Sequence, residues 1–515
     1  MTKKPNILLI TSDQQHFDTL GVTNPKIKTP ALDRLCQEGT RFTRAYCPNP
    51  VCTPSRSSII TGMYPSQHGA WTIGVKLPED VPTVGEHLKS GGYKTGLIGK
   101  AHFQPLASVE GSESIECQPT LRDLEFWREF TGPWYGFDHI ELARNHADES
   151  HAGQHYAIWL EEKGLKDWRD YFQPVPGETS AKAPKINEKI GYWVRKDRAW
   201  ELPEDLHYTT WTGERSLAFI EEAVKEDEPF FLWSSFHDPH PPYTVPEPWA
   251  SMYDPEDMPI GRVIEGEHDK NPWHFRETQK EKASFGDWHK PFQAHGCSSH
   301  LYPEEELKKD MAVYYGMISF MDKEIGRILD KLDELGIADN TIVVFSTDHG
   351  HFIGQHGLIA KGPFHYEDML KLPFIVRWPG QVPANTSSDA LQSLVDLAPT
   401  FLSASGQKVP GEMQGVNQLG VWQGSEEQAR DYILCENRHN PVMPHLRTYV
   451  NERYKITVYR EADYGELFDL RADPNELNNL WDEPEAQGIK LELLHKFMQA
   501  SLKTEPTRMP RIAGA

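Results

Sequence analysis

The sequence predicts an α/β fold: a large domain on a mostly parallel central sheet flanked by helices, then a small C-terminal α+β domain with an antiparallel sheet. Three observations predict it. Four short segments, 7–10, 94–98, 230–236 and 341–345, are apolar or nearly so. Such runs are the pattern of strands buried on both faces of a parallel sheet. Helical patterns separate them, and strand alternating with helix implies parallel pairing. Polar residues gather just past the carboxyl end of each run, where open α/β sheets bind their ligands.

In chain order, the first run ends in Thr11-Ser12-Asp13-Gln14. The second leads into Gly99-Lys100-Ala101-His102. Residues 104–210 are rich in Trp, His, charge, Gly and Pro with little periodicity, and read as a long insertion over the active-site edge. The run at 230–236 leads into His237-Asp238-Pro239-His240, and 250–300 reads as a further insertion. Across 304–335, Met311, Tyr314, Ile318, Met321, Ile325, Ile328, Leu332 and Leu335 recur at spacings of three or four, a helical stripe for which Gly336 suits the C-cap. The last run ends in Ser346-Thr347-Asp348-His349-Gly350. Residues 404–424 turn rich in Gly, Gln and Ser and mark a boundary, so the domains are expected at 1–410 and 425–515. Beyond it, 432–435, 447–450 and 454–458 read as strands and 484–503 as a final helix. No internal repeat is visible.

Composition narrows the function. The chain holds 515 residues, 38% hydrophobic and 25% charged, too many for one ordinary core. Its net charge of −23 repels nucleic acid and anionic membrane, which are excluded as main partners. An anionic substrate would need a local cationic pocket, which favours small substrates or chain ends. The apolar run after Met1 is too short for a secretory leader and no run spans a membrane, so a cytoplasmic protein is expected unless a leader was trimmed. Six cysteines without a C-x-x-C pair argue against disulfides and structural zinc. A homo-oligomer is left open.

The chemistry centres on Cys52-Thr53-Pro54-Ser55-Arg56, followed by Ser57 to Gly62. Pro54 suits a first helical turn and sets Cys52 at or beside the N-cap. A helix N-terminus attracts anions, and Arg56 adds a fixed cation. Alone, the pentapeptide reads equally as a buried cysteine at a helix start.

The extended pattern, from Cys52 through Thr61-Gly62, Tyr64-Pro65 and His68-Gly69, resembles the type I sulfatases of the alkaline phosphatase superfamily. The resemblance runs nearly the whole chain and implies their alkaline-phosphatase-like fold and sulfuric ester hydrolysis. It implies that a formylglycine-generating maturation enzyme oxidises Cys52, and that the hydrated aldehyde attacks sulfur with one hydroxyl and expels sulfate with the other. Metal ligands are implied at Asp13, Gln14, residue 52, Asp348 and His349. The commoner family pattern is Asp-Asp early and Asp-Asn late, so Gln14 and His349 are departures. Hard oxygen ligands make Ca²⁺ the first choice and Mn²⁺, which tolerates imidazole, the second. Lys100 and His102 match a Gly-Lys-x-His motif, His240 a Pro-His-x-Pro motif, and Lys361 a sulfate-binding lysine. The implied roles are anion or formylglycine binding for Arg56, Lys100 and Lys361, protonation of the leaving alcohol for His240, and help with sulfate release for His102. His237, His351, His356 and His365 are given no role. Gly465 to Leu470, Asp473-Pro474 and Glu476 to Leu480 match the family as a fold marker.

The expected substrate is small and sulfated, a carbohydrate by preference. A phosphonate monoester or phosphodiester hydrolase of the same superfamily is the alternative, because such enzymes share an early Asp-Gln and a late Asp-His. A non-catalytic glycan-binding relative would have no use for a modifiable cysteine beside a metal site. In the insertion, Trp134, Tyr135, His151, His155 and Trp159 are candidates for substrate contact, with a core role equally open to each aromatic.

Overall fold

The computed structural model of the protein describes residues 4–144, 152–175, 179–187, 191–196, 198–293, 296, 301–505 and 512. Its main sheet has eight strands: β1 (Asn6–Ser12), β2 (Thr40–Phe42), β3 (Lys94–Gly99), β4 (His139–Leu142), β5 (Phe230–Ser235), β6 (Thr341–Thr347), β7 (Ile375–Arg377) and β8 (Thr386–Ser388). They lie in the order β8-β2-β7-β6-β1-β5-β3-β4. β7 runs antiparallel to both β6 and β2, and the other pairings are parallel. The four runs read from the sequence are the adjacent strands β6, β1, β5 and β3, so their polar tails converge on one edge.

The middles of these strands are apolar because both faces are covered. Ile7, Leu9, Leu97, Phe231, Trp233, Ile342 and Val344 pack into one core. Leu8, Ile10, Ile98, Phe230, Leu232, Val343 and Phe345 pack into the other. The second core is closed by α1 (Pro30–Glu38), α3 (Tyr208–Lys225) and α4 (Glu304–Glu334). The α4 stripe from Met311 to Leu332 is buried as its spacing requires, and Gly336 follows in the left-handed region.

Helix α2 (Cys52–Thr61) lies against the first core with every residue buried. Two of its hydroxyls are satisfied within the helix: Ser57 donates to the Thr53 carbonyl at 2.7 Å and Thr61 to that of Ser57 at 2.8 Å. Bonds of this kind are each worth about 1 kcal/mol net, and more is lost if a buried group is orphaned. Gly62, at φ 65°, ends the helix by donating its N–H to the Ser58 carbonyl.

A second, antiparallel sheet runs β9 (Ile433–Arg438), β10 (His445–Val450), β11 (Tyr454–Tyr459) and β12 (Gly465–Asp469) in order. Helix α5 (Gln487–Lys503) covers it through Leu493 and Phe497 on Tyr449, Ile456 and Leu467. Buried Lys455 pairs with Glu476 and Glu367, tying this sheet to the main body. The Glu436 N–H of β9 donates to the Pro48 carbonyl at 2.8 Å, beside the segment that delivers Cys52.

The stretch 104–210 does more than lie over the sheet, since it supplies the edge strand β4. It also forms an aromatic cluster of Tyr156, Trp159, Trp168, Phe172, Trp200 and Trp211. Within 250–300, Phe285 and Trp288 pack on Leu446 and Tyr459 of the second sheet.

Candidate active site

The N-terminus of α2 faces the carboxyl edge of the main sheet. Asp13 and Gln14 follow β1, Lys100 and His102 follow β3, His240 follows β5, and Asp348 and His349 follow β6. Gly99 makes the β3 turn possible: it sits at φ 108°, and a Cβ there would run into the Ser235 carbonyl. The Lys100 N–H then donates to that same carbonyl at 3.0 Å.

Ligand atoms of Asp13, Cys52, Asp348 and His349 lie within 4.8 Å of one another, all buried. Cys52 Sγ is 3.1 Å from His349 Nε2 and 3.7 Å from Asp13 Oδ1. His349 Nδ1 donates to the Gly350 carbonyl at 3.0 Å, which leaves the Nε2 lone pair directed at the cluster. Burial lowers the His349 pKa to about 4, so the ring is neutral as a ligand requires. Gln14 Oε1 is buried with no hydrogen-bond partner, while its Nε2 reaches His351 Nδ1 at 2.7 Å. Buried polar atoms are ordinarily satisfied. Two carboxylates, an imidazole lone pair and an orphaned amide oxygen therefore fit a divalent cation.

Cations surround this cluster. Arg56 Nε donates to Asp348 Oδ2 at 2.9 Å, and its Nη1 reaches the Lys100 carbonyl and Ser235 Oγ, each at 2.8 Å. Lys100 donates to Asp13. Lys361 Nζ donates to Cys52 Sγ at 3.0 Å and to His240 Nε2 at 3.2 Å. Burial, then the Asp13 charge, pushes the Cys52 thiol up to about 11, so the unmodified side chain carries no thiolate at neutral pH.

His240 donates from Nδ1 to the Pro241 carbonyl at 2.6 Å and accepts from Lys361 at Nε2. Burial and the Lys361 charge hold its pKa well below the usual histidine range. His102 accepts at Nε2 from Arg144 at 2.8 Å, and burial followed by the Arg144 charge lowers its pKa likewise. Two residues at this edge are held in the left-handed region, Gln14 at φ 62° and His102 at φ 60°. Each such residue costs about 1–3 kcal/mol and needs surrounding support. The Gln14 N–H has Asp348 Oδ1 at 3.0 Å. Glu116 accepts the backbone N–H groups of His102, Phe103 and Gln104 at 3.0, 2.8 and 2.7 Å.

The structure thus gathers Asp13, Gln14, Cys52, Arg56, Lys100, His102, His240, Asp348, His349 and Lys361 at one sheet edge. Sequence reasoning missed Arg144, Glu116, Ser235 and His351. The last sits between Gln14 and Tyr243 Oη, the latter at 2.6 Å. Its nearness to His349 in sequence was the available signal; the others come from distant segments without a motif. Of the insertion candidates, Trp134 and Tyr135 belong to the main core and Trp159 to the aromatic cluster. His155 is spent on the Leu142 N–H and Phe130 carbonyl, and His151 lies outside the described residues.

Comparison with known proteins adds three kinds of likeness. The sulfatase family model matches residues 5–407, and a model described as N-sulphoglucosamine sulphohydrolase, C-terminal, matches 354–503. The chain is 29% identical to an arylsulfatase of Clostridium perfringens, over 97% of this chain and 95% of that one. It is 26% identical to an N-acetylglucosamine-6-O-sulfatase of Bacteroides thetaiotaomicron, over 96% and 85%. Its fold superposes on the crystal structure of a phosphonate monoester hydrolase of Agrobacterium radiobacter with a TM-score of 0.77 and 25% identity, covering 98% and 96% of the two chains.

Proposed function

Since the chain belongs to the sulfatase family and is a sulfuric ester hydrolase, we propose that it removes sulfate from a small sulfated carbohydrate, with a formylglycine made from Cys52 and one divalent cation, Ca²⁺ ahead of Mn²⁺. The observation that carries this reading is Cys52 Sγ, held at the start of α2 between the donor set of Asp13, Asp348 and His349 and the ammonium of Lys361. The carbohydrate part is supported by the likeness to an N-acetylglucosamine-6-O-sulfatase.

Asp13, Gln14, Asp348 and His349 would hold the cation, which supplies Lewis-acid polarisation of sulfate oxygens and of the residue 52 side chain. The hydrated formylglycine supplies one hydroxyl to attack sulfur and a second to drive sulfate release. The chain's own residues do the rest. Lys361 and Lys100 donate to developing negative charge in a buried site, where such bonds are strongest. Arg56 fixes Asp348 and, through Ser235 and the Lys100 carbonyl, the loop that carries Lys100. His240 protonates the leaving alcohol from Nε2, its Nδ1–H being spent on Pro241. Arg144 orients His102 beside the cluster.

Turnover against sulfated mono- and disaccharides, choline sulfate, an aryl sulfate, a phosphonate monoester and a phosphodiester tests this. The reading requires sugar sulfates to lead in kcat/KM, and a phosphonate or phosphodiester in first place would replace it. The latter is the second reading, favoured by Gln14 and His349 in the ligand set and by the likeness to a phosphonate monoester hydrolase. Peptide mass spectrometry of active enzyme tests the nucleophile. Residue 52 should have lost sulfur and two hydrogens and gained one oxygen, and full activity with only unmodified Cys52 would refute it.

A further inference from the structure

Beside the segment that delivers Cys52 lies a cavity of about 450 Å³, bounded by Pro65, Ser66, Gly69 and Trp71 on one side and by β9 and β10 on the other. In the ladder of these strands Glu436 faces Arg447 and Arg438 faces His445, two residues apart and so on one face of the sheet. The Arg438 guanidinium stacks over the Trp71 ring, 4.6 Å from its centre. Its hydrogen bonds go to neutral groups, the carbonyls of Asn440 at 3.4 Å and of Pro441.

Arg447 pairs with Glu436 at 3.0 Å, but that carboxylate also accepts the Ser66 N–H at 2.8 Å and the Ser66 hydroxyl at 3.0 Å. Glu436 is the one acid among the lining residues, against Arg438 and Arg447. Crowded positive charge shows in the neighbours. Burial, then Arg438, Arg447 and Arg460, lowers His445 to about 4, and burial followed by Arg460 lowers Arg438 below the usual arginine range. On a chain of net charge −23 this is a local reversal of sign. The three side chains Trp71, Arg438 and Arg447 are each part-exposed at the cavity wall.

The cavity is tethered to the catalytic cluster. Asn49 Nδ2 donates to the Glu436 carbonyl at 2.5 Å, and Asn49 stands three residues before Cys52. Three extended residues span at most about 11 Å, which bounds the distance from Asn49, at this wall of the cavity, to residue 52. An aromatic ring with a guanidinium stacked on it offers a flat face to a sugar, and the free edge of an arginine suits a planar or tetrahedral oxyanion bidentately.

We propose that this cavity is a subsite for a second anionic group, a sulfate ester or a uronate carboxylate, on a sugar next to the one whose sulfate is hydrolysed. The substrate is then an acidic oligosaccharide or its chain end rather than a lone sugar sulfate. This rests on the carbohydrate reading above and adds the contacts of Trp71, Arg438 and Arg447.

The test measures kcat/KM for N-acetylglucosamine 6-sulfate, for that sugar extended by a neutral hexose, by a uronate, and by a sulfated hexose. The protein is wild type and the variants Arg438→Gln, Arg447→Gln and Trp71→Leu. Wild type should prefer an acidic extension over the neutral one by at least about tenfold, and each variant should collapse that ratio. Which acidic extension leads identifies the anion as sulfate or carboxylate. The ratio is insensitive to the fraction of a variant that folds. A wild-type ratio near one, or a ratio that survives all three substitutions, overturns the subsite and leaves the carbohydrate reading standing. Turnover of aryl sulfate with none of these sugars overturns the carbohydrate reading, and the subsite with it.

Discussion

Lys361 Nζ lies between two groups of the catalytic cluster, 3.0 Å from Cys52 Sγ and 3.2 Å from His240 Nε2. Without substrate its ammonium is shared by the nucleophile position and a histidine lone pair. A bound sulfate, carrying more charge than either, would draw the ammonium toward itself and free His240 Nε2. Lys361→Met keeps an unbranched side chain one atom shorter and deletes the donor. Turnover of both aryl and sugar sulfates should fall by about 10²–10³-fold, the usual cost of losing one preorganised donor. Steady-state kinetics check the loss, and mass spectrometry must find residue 52 processed as in wild type.

Asp348 holds two kinds of cation at once. It belongs to the cluster fit for a metal, and it pairs with fully buried Arg56 at 2.9 Å. The two substitutions at this site should therefore separate. Asp348→Asn keeps one acceptor oxygen, enough for Arg56 or for the N–H groups of Gln14 and His349 but not for both, so it should lose metal and activity at a partial cost in stability. Asp348→Ala removes both oxygens and leaves the buried guanidinium with no acceptor at this position, which costs about 3–5 kcal/mol. Metal content by elemental analysis and unfolding midpoints in denaturant distinguish the outcomes. Equal stability of both variants would mean that Arg56 finds another partner.

Much of the site was legible because a doubly covered parallel sheet leaves a simple trace. Ile7 to Ile10 and Ile342 to Phe345 are apolar without a break since each residue meets one core or the other, and the chain turns polar where the sheet ends. Asp13 and Asp348 stand at that change, and the family resemblance marks them as metal ligands. β4 escaped because four residues hold no period, and His139 and Glu141 on its outer side pair with each other at 2.9 Å instead of entering a core. Arg144, Glu116 and the Trp71 cavity escaped for another reason. Their partners are set by tertiary contact across long sequence separations, and no local pattern encodes such a meeting. Trp134 and Tyr135 looked like ligand-facing aromatics because composition cannot tell an exposed ring from a buried one.

The loop that delivers Lys361 is fastened by charge. His356 is buried, stacked on Tyr366 at 3.6 Å, and bound to Glu267 at 2.8 Å and Asp368 at 3.5 Å. Burial opposes its protonation, yet the two carboxylates outweigh burial and raise its pKa from 6.5 to about 9. A raised histidine contributes stability in full below its unfolded pKa, and that contribution is lost as pH rises through the folded value. The window is therefore 6.5 to about 9, and the shift corresponds to roughly 3 kcal/mol. His356 lies at φ 56°, so asparagine, which tolerates the left-handed region better than most residues with a side chain, is the substitution to use, His356→Asn. Unfolding free energies at about pH 6 and about pH 10 should differ less in the variant than in wild type by about that amount. Identical pH dependence in the two proteins would exclude a charged His356 in the folded state.

The role of His240 separates substrates by their leaving groups. An aryl oxide is a stable anion and departs with little help, whereas a sugar alkoxide is strongly basic and needs a proton as the bond to sulfur breaks. His240 is placed for that task, with Nδ1–H fixed on the Pro241 carbonyl and Nε2 directed at Lys361, whose ammonium also reaches Cys52 Sγ. In the free enzyme it is neutral, so the charge of a bound sulfate must favour its protonation. If it is the general acid, His240→Ala should cost sugar sulfates about 10²–10⁴-fold in kcat and cost aryl sulfates far less. His240→Gln, which keeps a donor without an exchangeable proton of suitable pKa, should behave like the alanine variant on sugar sulfates. Residue 52 must be processed equally in all three proteins. Equal losses on both substrate classes, with rescue by glutamine, would instead make His240 a sulfate-positioning residue. The ammonium of Lys361, 3.2 Å from it, would then be the remaining candidate for the acid.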